Sequence, residues 1–406
     1  MKTPARKSTA FAVALVALTV GAVAYYPELM ARNTGVDDPR DDDPLTQQLV
    51  AAGRPQVDVV FVLDTTGSMG GLIATAKEKI WSIATSMSSA RQTPDIRIGL
   101  VAYRDKGDAY VTKVIDLSTD LDTVYATLMD FAAEGGGDGP ESVNEALYDA
   151  VHDISWTQAE NAYKAIFLVG DAPPHMDYNE MRYPEIAAAA RQRNIVINTV
   201  QCGSQADTVA PWTRIASLGQ GSYFQVEQAG GAVALATPFD EEIATLSAKL
   251  DETRLYYGSR EEQRRMHDKV AATEKLHESA SLSARARRAA FNASAAGDAN
   301  RLGENELVDA VASGRVDLDA IAPATLPAVL QPMAPEEQKA YVQELAKTRD
   351  ELEATLAERA KARDEYLAKK VEEAGGLEDS LDRQLFDAVR EQAAAAGLEY
   401  DGGPAY

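Results

Sequence analysis

Val57-Asp58-Val59-Val60-Phe61-Val62-Leu63 is an almost unbroken β-branched and apolar run, the pattern of a strand buried on both faces. Behind it, Leu72, Ile73, Ala76, Ile80, Ile83 and Met87 recur at helical spacing and predict a helix over 70–90. The alternation continues. Further strands are predicted at 96–103, 110–115, 165–169, 195–200 and 223–226, and helices at 121–132, 141–154, 183–193, 209–218 and 241–250. Such an order implies an α/β, doubly wound and mostly parallel sheet over residues 56–250, expected to fold alone. From Glu252 onward strand signals vanish, and an all-α, coiled-coil-like region fills 251–400. Helices are predicted there at 261–291, 302–311 and 335–373, the last with Tyr341, Leu345, Leu352, Leu356, Leu367 and Val371 as its apolar stripe. The two long ones are expected to pack as an antiparallel hairpin, either an arm that docks a partner or a cap on the strand domain.

The first residues follow another pattern. Lys2, Arg6 and Lys7 precede the run FAVALVALTVGAVA at 11–24, which ends in Ala22-Val23-Ala24. A basic start, an apolar run and a small-x-small end are the parts of an export signal. Residues 1–30 are read as a signal peptide or N-terminal membrane anchor, since the uncharged span from 8 to 27 suits either. Residues 31–55 contain Asp37, Asp38, Asp41, Asp42 and Asp43 and read as an acidic flexible linker. The chain is therefore expected outside the cytoplasm, periplasmic, in the cell envelope or membrane-anchored.

Composition narrows the partners. Across 406 residues, 63 acidic side chains outnumber 40 basic ones, a net charge of −23 that repels phosphate backbones and argues against nucleic acid. The single cysteine, Cys202, permits neither an intramolecular disulfide nor a cysteine zinc site, and reads as a small buried hydrophobe.

Three loops lie at strand ends or open helices, where doubly wound sheets bind ligands. Asp64-Thr65-Thr66-Gly67-Ser68 follows the first strand, Gly135-Gly136-Gly137-Asp138-Gly139-Pro140-Glu141 opens a helix, and Gly170-Asp171-Ala172-Pro173-Pro174-His175 follows the fourth strand. Together they offer carboxylates and hydroxyls, the donor set of a hard cation such as Mg²⁺. Plainer roles stand beside this. Thr66 or Ser68 can cap the next helix, Asp171 can be a loop residue, Glu141 can favour a helix dipole and Asp138 can be an N-cap. His175 lines the site, and Asp105 and Asp108 read as a solvated turn.

Asp64-x-Thr66-x-Ser68 resembles the DxSxS signature of von Willebrand factor A domains, with Thr in place of the first Ser. The resemblance covers about 190 residues and implies a metal ion-dependent adhesion site. It implies that Thr66 and Ser68 ligate directly, that Asp64 and Asp171 ligate directly or through water, and that one position stays open for an acidic group of a partner. The second loop lacks the family's commoner threonine and resembles the integrin β-subunit loop instead. That implies Glu141 as a ligand and Asp138 beside a neighbouring second cation. The helical tail resembles that of bacterial A-domain proteins, a tail with no activity attached to it. The function implied is a non-enzymatic adhesion or assembly module of the cell envelope, with no catalytic residues. It would bind Mg²⁺ (or Mn²⁺ or Ca²⁺) and a carboxylate of a protein ligand, and meet a membrane only through an N-terminal anchor. The alternatives are a structural envelope protein with a fold-stabilising metal, and a metal-dependent hydrolase with His175 as base.

Overall fold

The computed structural model describes residues 53–137, 139–227, 235–373 and 380–405. The expected leader at 1–30, the linker as far as residue 52 and the candidate ligand Asp138 lie outside the described residues. Residues 55–406 group as one compact unit.

Six strands form the sheet: β1 (Gln56–Asp64), β2 (Asp95–Tyr103), β3 (Thr112–Ser118), β4 (Ala162–Gly170), β5 (Ile195–Cys202) and β6 (Gln220–Val226), in spatial order β3-β2-β1-β4-β5-β6. Only β3 runs antiparallel. Every residue of β1 from Val57 to Asp64 is buried, so the strand needs cover on both faces. Val57, Val59, Phe61 and Leu63 pack with Ile80 and Trp81 of α1 (Gly70–Ser88) and Tyr125 and Leu128 of α2 (Leu121–Met129). Val60 and Val62 meet Leu147 of α3 (Val143–His152), Ile186 of α4 (Tyr183–Gln192) and Trp212 of α5 (Ala206–Leu218) on the other face. The period-2 alternation of β1 thus divides the core into two layers.

The chain lays β2 and β3 on one side of β1, then returns to place β4 on the other. That reversal is a topological switch point, where a crevice opens beyond the carboxyl ends of the strands. Leu63 pairs with Val169, so Asp64 and Gly170 reach that crevice level with each other.

After α6 (Asp240–Asp251) come α7 (Arg260–Ser279), α8 (Leu282–Asn292), α9 (Asp298–Leu302), α10 (Leu307–Ala312), α11 (Pro335–Glu373) and α12 (Leu381–Ala393). The single helix predicted over 261–291 breaks at Ala280, because Ser281 caps α8 by accepting from the Ala284 amide at 3.0 Å. The helix predicted at 302–311 is likewise two, with Glu306 capping α10. The α12 helix is an addition to the expected elements; its signal is Ser380 as N-cap ahead of Leu381, Leu385, Phe386 and Val389. The expected hairpin of two long helices is replaced by other pairings, because α11 packs mainly on α6 and α10 while α7 packs on α2. Leu276, Phe291, Leu385, Phe386 and Val389 join Trp81 and Phe167 in one core, so the tail caps the face carrying α1 and α2. No helix among the described residues is long and apolar enough to cross a membrane.

Candidate metal centre

Asp64 is the last residue of β1 and fully buried. Its Oδ1 accepts from the Thr66 amide at 2.8 Å and the Thr66 hydroxyl at 2.6 Å. Thr66 Oγ1 also stands 3.4 Å from Ser68 Oγ. The turn Gly67–Met69 that opens α1 has no side-chain cap from Thr66. The Thr66 hydroxyl is therefore directed to the carboxylate rather than to a helix terminus.

Glu141 stands outside the helix predicted to contain it, because α3 begins at Val143. It forms an isolated parallel bridge with Pro174. Its amide donates to Pro173 O at 3.0 Å, and its carbonyl accepts from the His175 amide at 3.1 Å. The second loop is thus stitched to the third. Gly136 bends that loop with φ of +75°, and a β-carbon there would lie 3.1 Å from Thr66 Cβ and 3.2 Å from Glu141 Oε1. The missing side chain lets Glu141 and the first loop approach each other. On the β4 side, a β-carbon on Gly170 would collide with the Tyr103 hydroxyl and lie 3.0 Å from Asp64 Cβ.

The electrostatics converge on the same point. Burial, then the charge of Asp171, pushes the Asp64 carboxyl up to about 7 against the lowering effect of Thr66. Burial, then Asp64, Asp105, Asp108 and Asp171, pushes Glu141 up to about 9. The Tyr103 phenol is raised well above its ordinary range by burial and by Asp64, Glu141 and Asp171. Asp64 Oδ2, Glu141 Oε2 and the Tyr103 hydroxyl are buried without a hydrogen-bond partner. Orphaned buried polar atoms are uncommon, and each costs about 1–3 kcal/mol unless something completes it. Among the described residues, no three His, Cys, Asp or Glu side chains gather closely enough to hold an ion by themselves. A cation here needs the hydroxyls of Thr66 and Ser68 as well, and the donor set is all oxygen, as a hard divalent cation requires.

Asp105 departs from the solvated turn expected of it. It is buried, accepts from Ser142 Oγ at 2.8 Å and from the Tyr178 hydroxyl at 2.9 Å, and has His175 Nε2 at 3.4 Å. Asp108 accepts from the Gly136 amide at 2.9 Å. Both are braces of the second loop, drawn in by contacts across three loops that sequence spacing does not reveal. His175 stacks on Tyr178 at 3.9 Å between centroids and bonds Asp177 at 2.9 Å. Tyr103 and Gly170 were also outside the expected set; their only signal was their position at strand ends.

The model of a family described as von Willebrand factor A domain matches residues 58–237. Over 126 residues the chain is 29% identical to an ariadne-like RING finger protein of Acanthamoeba polyphaga mimivirus, covering 30% of this chain and 12% of that one. Over 128 residues it is 28% identical to an alpha-protein kinase of Dictyostelium discoideum, covering 31% of this chain and 20% of the other. The match therefore spans a small part of either relative. A structure of proximal thread matrix protein 1 from the mussel byssus, with a zinc-occupied adhesion motif, aligns over 42% of each chain at 14% identity and a TM-score of 0.33. Residues 58–237 thus match the von Willebrand factor A domain model, and the described strands of that region form a mostly parallel six-stranded sheet with flanking helices.

Proposed function

We propose that this chain is a metal-dependent protein-binding module. A divalent cation, Mg²⁺ in the first instance, would be held by Asp64, Thr66, Ser68 and Asp171 with Glu141 beside them. The observation that carries the reading is the pair of buried, unpartnered carboxylate oxygens, Asp64 Oδ2 and Glu141 Oε2, next to the two hydroxyls. The cation would complete those oxygens, offset the mutual repulsion of three acids, and offer a position to a carboxylate of a partner protein. The chain's own residues do the positioning. Thr66 fixes the Asp64 carboxylate, the Glu141–Pro174 bridge sets the second loop against the third, and Asp105 anchors Ser142. The basic, apolar and small-residue pattern at 2–24 supports export, so the partner is proposed to lie in the cell envelope.

Calorimetric titration of the metal-stripped chain with Mg²⁺, Mn²⁺ and Ca²⁺ tests the first half. Acetate or a glutamate-bearing peptide, added with and without metal, tests the second. Binding of the carboxylate probe that needs the metal and disappears in Asp64→Ala supports the reading. A chain that takes none of the three cations at millimolar concentration overturns it.

A further inference from the structure

Three neighbouring strands, β2, β1 and β4, end in Tyr103, Asp64 and Gly170. Asp64 pairs with Tyr103, and Gly170 follows Val169, the partner of Leu63. Strand alternation puts all three on the face that carries Val62, Val101 and Leu168. The backbone of Tyr103 is clamped to the first loop. Its carbonyl accepts from both the amide and the hydroxyl of Thr65, each at 2.9 Å. Its side chain is fully buried and brings the phenol oxygen past Asp64 to lie against Gly170. A β-carbon on Gly170 would strike that oxygen and would stand 3.1 Å from Asp64 Oδ2. The phenol oxygen and Asp64 Oδ2 thus border the same small space, which the glycine leaves open.

Neither of these two oxygens has a hydrogen-bond partner. A phenylalanine at 103 would bury the same ring without an orphaned hydroxyl, so packing does not account for the oxygen. Burial and the charges of Asp64, Glu141 and Asp171 raise the phenol well above its ordinary range and keep its proton in place. The group is a neutral donor set among acids. The other oxygen of the same carboxylate, Asp64 Oδ1, already accepts from the amide and hydroxyl of Thr66 at 2.8 and 2.6 Å. Oδ2 is the oxygen that lacks a donor, and the phenol is the donor that lacks an oxygen.

We propose that Tyr103 is a positioning residue of the metal centre, its phenol donating to Asp64 Oδ2 when that carboxylate holds a cation. The proposal rests on the reading of this centre as a divalent-cation site. Thr66 then holds one oxygen of Asp64 and Tyr103 the other, which fixes the plane of the carboxylate and leaves a lone pair for the ion. Groups that orient a ligand from behind in this way raise metal affinity without touching the metal. A neutral O–H does so without a positive charge that would repel the cation, as a lysine or arginine there would.

Tyr103→Phe in the full chain removes the oxygen alone. The hydroxyl is unpartnered without the ion, so the metal-stripped variant should unfold at the same urea concentration as wild type or a higher one. Calorimetric titration with Mg²⁺ should nevertheless show its affinity reduced by about tenfold. A tyrosine fluorinated beside the hydroxyl, placed at position 103 of the otherwise unaltered chain, gives a second measurement that does not depend on the variant folding. Its fluorine resonance should move along the calorimetric binding curve as Mg²⁺ is added. Equal Mg²⁺ affinity in wild type and folded variant overturns the role of the phenol alone, as does a fluorine resonance that stays in place while Mg²⁺ binds. A variant that loses metal-free stability shows the hydroxyl to be a structural group and also overturns it. A wild type that binds no cation overturns the reading of the centre and this proposal together.

Discussion

Asp64 should set a distinctive pH dependence. Burial first and Asp171 second lift its carboxyl from an ordinary 3.8 to about 7. At about 1.36 kcal/mol per pH unit, ionising it in the metal-free fold costs on the order of 4 kcal/mol. Between those two pH values the folded chain keeps a proton that the unfolded chain has released. The unfolded state then binds fewer protons, so stability falls as pH rises through the window. The contribution is fully present below pH 3.8 and is lost as pH passes about 7. Asp64→Asn keeps an acceptor for Thr66 and removes the titration. Urea unfolding of metal-stripped wild type and variant across the window reads the difference. The variant should gain on wild type by about 2–3 kcal/mol between pH 5 and pH 8. Saturating Mg²⁺ should invert the order at pH 8, because the cation stabilises the ionised wild-type loop by mass action. Parallel stability curves for the two metal-free proteins would refute the reasoning, and so would a wild type that gains with pH.

Metal binding should also expel protons, because Asp64 and Glu141 are raised to about 7 and about 9 and must ionise to ligate. Calorimetry at neutral pH in buffers of different ionisation enthalpy should show roughly one to two protons released per Mg²⁺, about one fewer in Glu141→Gln; no buffer dependence counts against both residues as ligands. Arg288→Met strands Asp122, bonded to it twice at 2.6 Å in the core, and should cost about 3–5 kcal/mol in urea melts. A loss below 1 kcal/mol would mean the pair is not tightly coupled. Ending the chain at residue 251 removes Phe291, Leu385 and Phe386 from the core around Trp81 and Phe167, so the fragment should melt well below the full chain. Loss of a cooperative transition places the folding boundary beyond 250.

The legible parts of this molecule are those set by local pattern. The unbroken apolar run of β1 required cover on both faces, and Asp64 and Asp171 fell at the ends of neighbouring strands because the strand-helix order left few topologies. Glu141 was harder. Spacing placed it in a helix, but its bridge to Pro174 comes from a third loop distant in sequence. Asp105 is charged and opens the turn after β2, so local pattern favours exposure; its burial depends on Ser142, Tyr178 and His175 arriving together. The break at Ser281 was obscured by a composition of Ala and Arg that suits helix on either side. For Glu141 and Asp105 a long-range contact decided what the local sequence left open, whereas at Ser281 a local cap decided it.

The buried charges of the helical half belong to the same argument. Lys269, Arg288, Arg349 and Arg363 are all at most 7% exposed, and each meets a carboxylate: Asp120, Asp122, Glu306 and Asp240 respectively. Burial pushes the Asp122 carboxyl up, but Arg288 and Lys269 outweigh it and hold it well below the usual range. Such pairs add modest net stability compared with apolar contacts of equal size, yet a helix shifted by one turn would strand charges in the core. They therefore select one seating of the tail. The polar contacts of that seating fall on α1, α2, β4, β5 and α6, through Lys79, Asp122, Tyr163, Asn198 and Asp240. The loop that carries Thr66 and Ser68 is strung between β1 and α1, so the elements at both of its ends are packed by the core that the tail completes. A cation site gains from donors held in place before the ion arrives, because less ordering remains to be done on binding. On the proposed metal centre the tail would thus act at a distance, through the packing of the strand and helix that flank Asp64, Thr66 and Ser68.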